Sequence, residues 1–248
     1  MLDAEEPKKD ILYENEKHHP AVVLGIMLGF VALLTVVGTV LLMALGMAYG
    51  YDIQEMSAIA SGLMPDVEKS LIKSMVTLNQ LFTFMIPAFL VAFICYKKNW
   101  SRFLYLDKLP NSKNLILAIL IPLSSYPLVQ FSFWLNKQIP LPEMFTQMEE
   151  ATKALLDLML TIDSPFEILI NIFVIAVVPG IGEELIFRGL LQKNFQWLGS
   201  DIIGNKKLGG HLAVWAAAFI FSAIHMQFEG FLPRMILGAV LGLSLIHI

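Results

Sequence analysis

The sequence predicts an all-α, polytopic transmembrane helical bundle. Of its 248 residues, 56% are hydrophobic and only 15% are charged, and the mean hydropathy is +0.67. A soluble globular domain has roughly 25% charged residues, so this composition is typical of a protein embedded in a bilayer. The apolar residues also form long runs, and helices are the structure that such runs adopt inside a membrane.

Six apolar segments are predicted to be transmembrane helices. A helix needs about 20 apolar residues to cross roughly 30 Å of hydrocarbon. Internal prolines in the second and third segments can kink a membrane helix without excluding it. The predicted spans are 21–50, 75–96, 115–135, 166–197, 211–228 and a sixth from Leu232 to the end of the chain.

The spans divide the chain into three regions: a polar tail at 1–20, two membrane helices with their loops at 21–110, and a C-terminal core at 111–248. The tail lacks the pattern of a secretory signal, so the first apolar helix is expected to remain as an anchor.

The single cysteine, Cys95, provides no disulfide framework and no cysteine-based metal cluster. The net charge of −4 gives no electrostatic support for binding nucleic acid.

The distribution of Lys and Arg predicts the orientation in the membrane. The loop at 97–113 carries five of these residues, and Lys193, Lys206 and Lys207 follow the fourth span. The loops at 51–74 and 136–165 carry only two each. Because basic loops remain in the cytoplasm, the N-terminus is predicted to be cytoplasmic, and the loops at 51–74 and 136–165 are predicted to lie on the outer side.

The outer loop at 136–165 is predicted to contain a helix. Its residues 141–162 have apolar positions at helical spacing, which predicts a helix lying on the membrane surface.

The segment "VPGIGEELIFRGLLQ", 178–192, places three charged residues in the fourth span. Residues four apart share a helix face, so Glu184 and Arg188 are predicted to form an ion pair. Glu183 lies about 100° away and has no helical partner. If the helix left the membrane at Gly182, the charges would lie among the lipid headgroups. The residues after them are again apolar, which favours a continuous helix with Glu183 near its middle, where a charge is usually functional.

A second polar residue interrupts the fifth span, in "FIFSAIHMQ". His225 follows Phe221 by four residues, so the two are predicted to share a helix face. A lone histidine in a membrane helix is often a hydrogen-bonded core residue, but here Glu183 on the preceding helix is a candidate partner. The two side chains could activate a water molecule, either as joint general bases or as ligands of a divalent metal such as zinc. The residues do not discriminate between these, although two ligands are fewer than the three of an ordinary catalytic zinc site.

These two motifs resemble those of the CPBP intramembrane proteases, the family of type II CAAX prenyl endopeptidases and bacteriocin-processing proteins. "EELIFR", Glu183 to Arg188, is similar to the family's E-E-x-x-x-R motif, and "FSAIH", Phe221 to His225, to its F-x-x-x-H motif. The resemblance covers roughly residues 110–245. It implies that Glu183 and His225 activate the attacking water, that Glu184 and Arg188 support the geometry, and that Phe221 packs the site.

The resemblance also implies a third motif, H-x-x-x-N or similar, whose side chains help to stabilise the oxyanion. We expect this motif to lie beyond the end of the chain, so that the protease core is C-terminally truncated and its last one or two helices are cut short or missing. Such a chain could itself be inactive. The final residues, "LSLIHI", resemble adapter sequence read at the end of a contig, and His247 is not expected to supply the missing ligand.

The sequence therefore predicts a multi-pass endopeptidase of the bacterial-type inner membrane that cleaves a peptide or a membrane protein within the lipid bilayer. Two alternatives remain. One is a catalytically inactive immunity or scaffold protein of the same family. The other is a transporter, which is less favoured because the first three spans carry no charge in their central turns and the chain contains no internal repeat.

Overall fold

The computed structural model describes residues 18–61 and 67–247, and the side chains as far as Ser244. Within these residues the chain forms helices and no strand, which confirms the predicted all-α class. Residues 1–17 of the predicted tail lie outside the described part. The eight helices are α1 (Pro20–Ala48), α2 (Ile53–Ala60), α3 (Lys69–Phe103), α4 (Ser112–Asn136), α5 (Glu143–Leu160), α6 (Pro165–Ile203), α7 (Lys206–Ala223) and α8 (Phe231–His247).

Four of the described helices, α1, α3, α4 and α6, are long and apolar enough to cross a membrane. They coincide with the first four predicted spans. The fifth and sixth predicted spans correspond to α7 and α8, which have 18 and 17 residues and lie outside that set of four. Helix α5 occupies most of the predicted surface helix at 141–162. Its position on a membrane surface stays a prediction.

The predicted bounds of the fifth span were wrong in a way that affects the site. Helix α7 begins at Lys206, because the Asn205 side chain accepts hydrogen bonds from the first free backbone amides, and it ends at Ala223. Met226 has a φ of 53°, a left-handed conformation that cannot continue a helix. His225 therefore lies in a turn after α7 and not on its face.

Helix α6 runs without interruption through the three charged residues. The helix does not end near Gly182, because helical backbone continues to Ile203 and Glu183 lies near its centre. The depth of Glu183 in a membrane stays a prediction. A π-helical turn at Phe173–Val177 precedes Pro179, just as another at Leu81–Met85 precedes Pro87 in α3. The wider π turn makes room where a proline ring would otherwise meet the carbonyl four residues earlier.

Helix α6 contains a second and longer π segment, Glu184–Gln192, directly after Glu183. Its residues from Leu185 to Gln192 are all buried, and the five apolar side chains among them belong to one apolar cluster with residues of α1, α3 and α7. These five are Leu185, Ile186, Phe187, Leu190 and Leu191. π-Helical insertions occur frequently at functional sites, because they change which side chains face a neighbouring helix.

Most of the outer surface of α1 and α4 is apolar. Leu28 and Val36 of α1 and Leu123 and Phe131 of α4 are each more than half exposed, although they have no polar group that could favour water. Side chains of this kind are expected to face lipid hydrocarbon. The two helices thus support a multi-pass membrane protein.

Helices α6 and α7 form a tight antiparallel hairpin. Gly204, with a φ of 69°, ends α6 in a left-handed conformation, and α7 follows at once. The backbones then meet at Gly199 and Gly209, where a Cβ atom on Gly209 would lie 2.5 Å from the backbone nitrogen of Ser200. Glu183 lies sixteen residues before Gly199 and His225 sixteen residues after Gly209, so both lie at the end of the hairpin away from its turn. The hairpin register therefore places them opposite each other.

Candidate active site

The structure brings Glu183 and His225 together. The distance between Glu183 Oε1 and His225 Nε2 is 3.8 Å. Both side chains are largely shielded, with 17% of Glu183 and 25% of His225 exposed. The shared-water arrangement expected from the sequence requires such proximity.

The hydrogen bonding of His225 fixes which ring nitrogen faces the carboxylate. His225 Nδ1 lies 2.7 Å from the backbone carbonyl oxygen of Phe221. Since a carbonyl oxygen can only accept, Nδ1 carries the hydrogen, and in the neutral ring Nε2 presents its lone pair toward Glu183. Two hydrogen-bond acceptors therefore face each other, at a separation beyond that of a direct hydrogen bond.

Glu184 and Arg188 form the ion pair predicted from their spacing, with Glu184 Oε1 3.2 Å from Arg188 Nη1. The two side chains differ in exposure, which is 49% for Glu184 and 7% for Arg188. Arg188 also donates to the carbonyl oxygen of Gly238 in α8 at 3.5 Å. It therefore connects α6 to α8 behind the site.

Phe221 packs among the other residues of both motifs. Its ring meets the His225 ring edge-on at 4.9 Å between centroids and the Phe187 ring at 5.1 Å. The Arg188 guanidinium carbon lies 4.8 Å from the Phe221 ring centroid, within the range of a cation–π contact. All five residues singled out in the sequence thus belong to one connected group of side chains.

Three further polar side chains form hydrogen bonds to α8 or to the turn next to this group. Gln192, which follows Arg188 by four residues, donates to the carbonyl oxygen of Gly242 in α8 at 3.1 Å. Arg234 and Asn136 bind the turn that carries His225. The sequence argument did not identify Arg234 or Asn136, and for Asn136 no local pattern could have done so, because its partners lie more than 90 residues away.

The other histidines do not join the site within the described residues. His211 lies exposed near the start of α7, and His18 and His19 precede α1. The side chain of His247 lies outside the described part of the chain.

For a metal ion, Glu183 and His225 are the two candidate ligands. A histidine that donates Nδ1–H to a carbonyl and presents Nε2 is a common arrangement for metal binding. In the described part of the chain, however, no group of three or more His, Cys, Asp or Glu side chains could hold an ion. The protein residues thus fit only part of a metal coordination shell.

Comparison with known proteins identifies one family. Residues 165–247 match the family model of the Type II CAAX prenyl endopeptidase Rce1-like proteins, and this segment contains both motifs. No curated protein and no solved structure matches the chain significantly. The match confirms the resemblance carried by "EELIFR" and "FSAIH", and it supports a protease-type function in a membrane. The C-terminal third of the chain is therefore similar to the Type II CAAX prenyl endopeptidase Rce1-like family.

Proposed function

We propose that this protein is an intramembrane endopeptidase in which Glu183 and His225 activate the water that attacks a peptide bond. The observation that carries the proposal is the 3.8 Å separation of two acceptors, Glu183 Oε1 and His225 Nε2. A water molecule about 2.8 Å from each can donate one O–H to each of them. Its oxygen lone pairs then point away from both bases and are available for attack.

The reaction follows from this arrangement. The water oxygen forms a bond to the carbonyl carbon of the substrate while one of its protons passes to Glu183 or His225. The resulting tetrahedral intermediate loses its nitrogen when the C–N bond breaks, and the protonated base returns the proton to that nitrogen. A carboxylic acid and an amine are the products, and the enzyme regains its starting state.

The surrounding residues keep the two bases in place. The Arg188 side chain, held by Glu184 and by α8, packs beneath Phe221, and the Phe221 carbonyl oxygen orients the imidazole. Because the helices that meet here are apolar, the substrate is proposed to be a peptide segment presented within the membrane.

The test is cleavage of a model membrane-protein substrate by the full chain in liposomes. Glu183→Gln and His225→Ala are expected to lower the rate by about 10²-fold or more, as for removal of a positioned base. His211→Ala, which changes an exposed histidine of the neighbouring helix, is the matched control and should remain active. Full activity in either site variant would sink the proposal.

Metal dependence is tested on the same preparation. If Glu183 and His225 hold a zinc ion, a chelator abolishes cleavage, added zinc restores it, and both variants retain less zinc than His211→Ala. If they act as joint general bases, the chelator leaves the rate unchanged. A wild-type chain that cleaves nothing, yet retains a partner protein through these helices, would favour the inactive scaffold.

A further inference from the structure

The turn at 224–230 carries His225 but belongs to neither α7 nor α8. Its backbone includes the left-handed Met226, and a short 3₁₀ segment, Phe228–Gly230, leads into α8. Helix geometry alone therefore does not fix the position of the imidazole. Contacts from other parts of the protein are needed to hold this turn.

Asn136, the last residue of α4, binds the turn with both ends of its amide group. Asn136 Nδ2 donates to the carbonyl oxygen of Phe228 at 2.6 Å, and Asn136 Oδ1 accepts from the backbone nitrogen of Leu232 at 2.9 Å. Only 3% of the residue is exposed. A buried amide with both functions satisfied specifies the geometry of its partners.

Glu149 of α5 binds the same turn from a second direction. Its Oε1 atom accepts a hydrogen bond from the backbone nitrogen of Glu229 at 2.6 Å. One helical turn earlier, the Phe145 ring packs against the Phe228 ring at 4.3 Å between centroids. Helix α5 thus lies against the turn through both a polar and an aromatic contact.

Arg234 of α8 binds both the turn and the end of α7. Arg234 Nη2 donates to Gln227 Oε1 at 2.8 Å, and Nη1 donates to the backbone carbonyl oxygens of Gln227 at 3.3 Å and Ser222 at 3.5 Å. The Ser222 hydroxyl donates to the carbonyl oxygen of Phe231 at 2.7 Å. These bonds tie the end of α7 to the start of α8.

We infer that Asn136 and Glu149 are positioning residues for His225, acting through the 224–230 turn to hold the imidazole against Glu183. Both lie outside residues 165–247, so the matched segment depends on the preceding helices for the geometry of its histidine. The catalytic consequence rests on the proposed function, whereas the effect on the position of His225 does not.

A direct test uses the reactivity of His225. The full chain in detergent is treated with diethyl pyrocarbonate, and modification of each histidine is followed by peptide mass spectrometry. Asn136→Ala and Glu149→Ala are expected to increase the modification rate of His225 several-fold, because the ring leaves its shielded position. The rate at His211 should not change. Gln138→Ala, which alters an exposed side chain two residues beyond Asn136, and Glu150→Ala, beside Glu149, are the matched controls.

Kinetics supplies the second measurement. Displacement of a catalytic group by about 1 Å can cost roughly 10²-fold in rate, so kcat is expected to fall between tenfold and a hundredfold in Asn136→Ala while KM stays near the wild-type value. A general loss of fold would instead lower the amount of folded protein and the thermal midpoint together. An unchanged His225 modification rate in both Asn136→Ala and Glu149→Ala would overturn the inference, even if cleavage by the wild type is confirmed.

Discussion

Glu183 and Glu184 are adjacent in sequence but lie in different surroundings. Glu183 faces His225 and is 17% exposed, whereas Glu184 is 49% exposed and pairs with Arg188. The difference arises because consecutive residues of a helix point about 100° apart. Only one of the two carboxylates can therefore face α7 and the turn after it. The other is available to balance the charge of Arg188.

We expect an asymmetric response when the Glu184–Arg188 pair is broken. Arg188→Ala removes a buried side chain with its contacts to Phe221 and Gly238, and it should lower the free energy of unfolding by about 2–4 kcal/mol. Glu184→Ala removes a half-exposed side chain but leaves the buried Arg188 charge without its carboxylate, and it should cost about 1–2 kcal/mol. Thermal unfolding in detergent measures both. Equal losses of unfolding free energy in the two variants would contradict the conclusion that Arg188 also stabilises the protein through its contacts with Phe221 and Gly238.

At the level of the helical elements, the α6–α7 hairpin sets the distance between the two motifs. The contact of Gly199 with Gly209 lets the two backbones approach closely, and Gly204 provides the turn. Any larger side chain at Gly209 would meet backbone atoms, which cannot move aside as a flexible side chain can. The glycines far from the site are therefore part of its geometry.

Gly209→Ala tests this effect. The added methyl group should force the hairpin apart, destabilise the protein by about 1–3 kcal/mol and lower the cleavage rate. Gly180→Ala, in the other helix of the hairpin, is the matched control, because a Cβ atom at Gly180 meets nothing within 4 Å. Measurements are the thermal midpoint and the rate of cleavage in liposomes. Wild-type activity in Gly209→Ala would show that the hairpin contact does not govern the site.

Prolines and π turns form a second relation between elements. Pro87 in α3 and Pro179 in α6 each follow a π-helical turn, so both helices pass a proline without ending. A proline removes one backbone hydrogen bond, and the wider turn absorbs the steric conflict. The sequence favours a continuous helix but leaves open an end near Gly182, and the continuous backbone of α6 decides between the two.

For the molecule as a whole, the loops that are predicted to lie on the same side of the membrane lie at the same end of the helical bundle. The end of α4, helix α5 and the turn between α7 and α8 lie together, as the contacts of Asn136 and Glu149 require. The distribution of Lys and Arg predicts that this end faces away from the cytoplasm. The basic loop between α3 and α4 is then predicted to lie on the cytoplasmic side.

Cysteine accessibility tests this topology. Cys95 is the only cysteine and is buried, so single cysteines can be introduced without replacing it. In intact cells, Gln138→Cys should react with a membrane-impermeant maleimide, whereas Lys108→Cys should react only after permeabilisation. Both positions are exposed, so lack of labelling cannot be attributed to burial. The reverse pattern would overturn the predicted orientation.

The sequence by itself determined the helical membrane class, the first four spans, the Glu184–Arg188 ion pair and the two motifs that the family match contains. These features depend on composition or on residues within one or two helical turns. Local spacing and the cost of charge in an apolar segment are sufficient to predict them.

Only the tertiary structure decided that His225 stands in a turn, that its Nε2 atom faces Glu183, and that Asn136 and Glu149 hold that turn. The partners of these contacts are 42 to 96 residues apart in the chain, apart from the bond to Phe221. No periodic pattern connects such residues. Their meeting depends on the close packing of glycines in the α6–α7 hairpin and on how α4 and α5 lie against its open end, which is a property of the packed helices together.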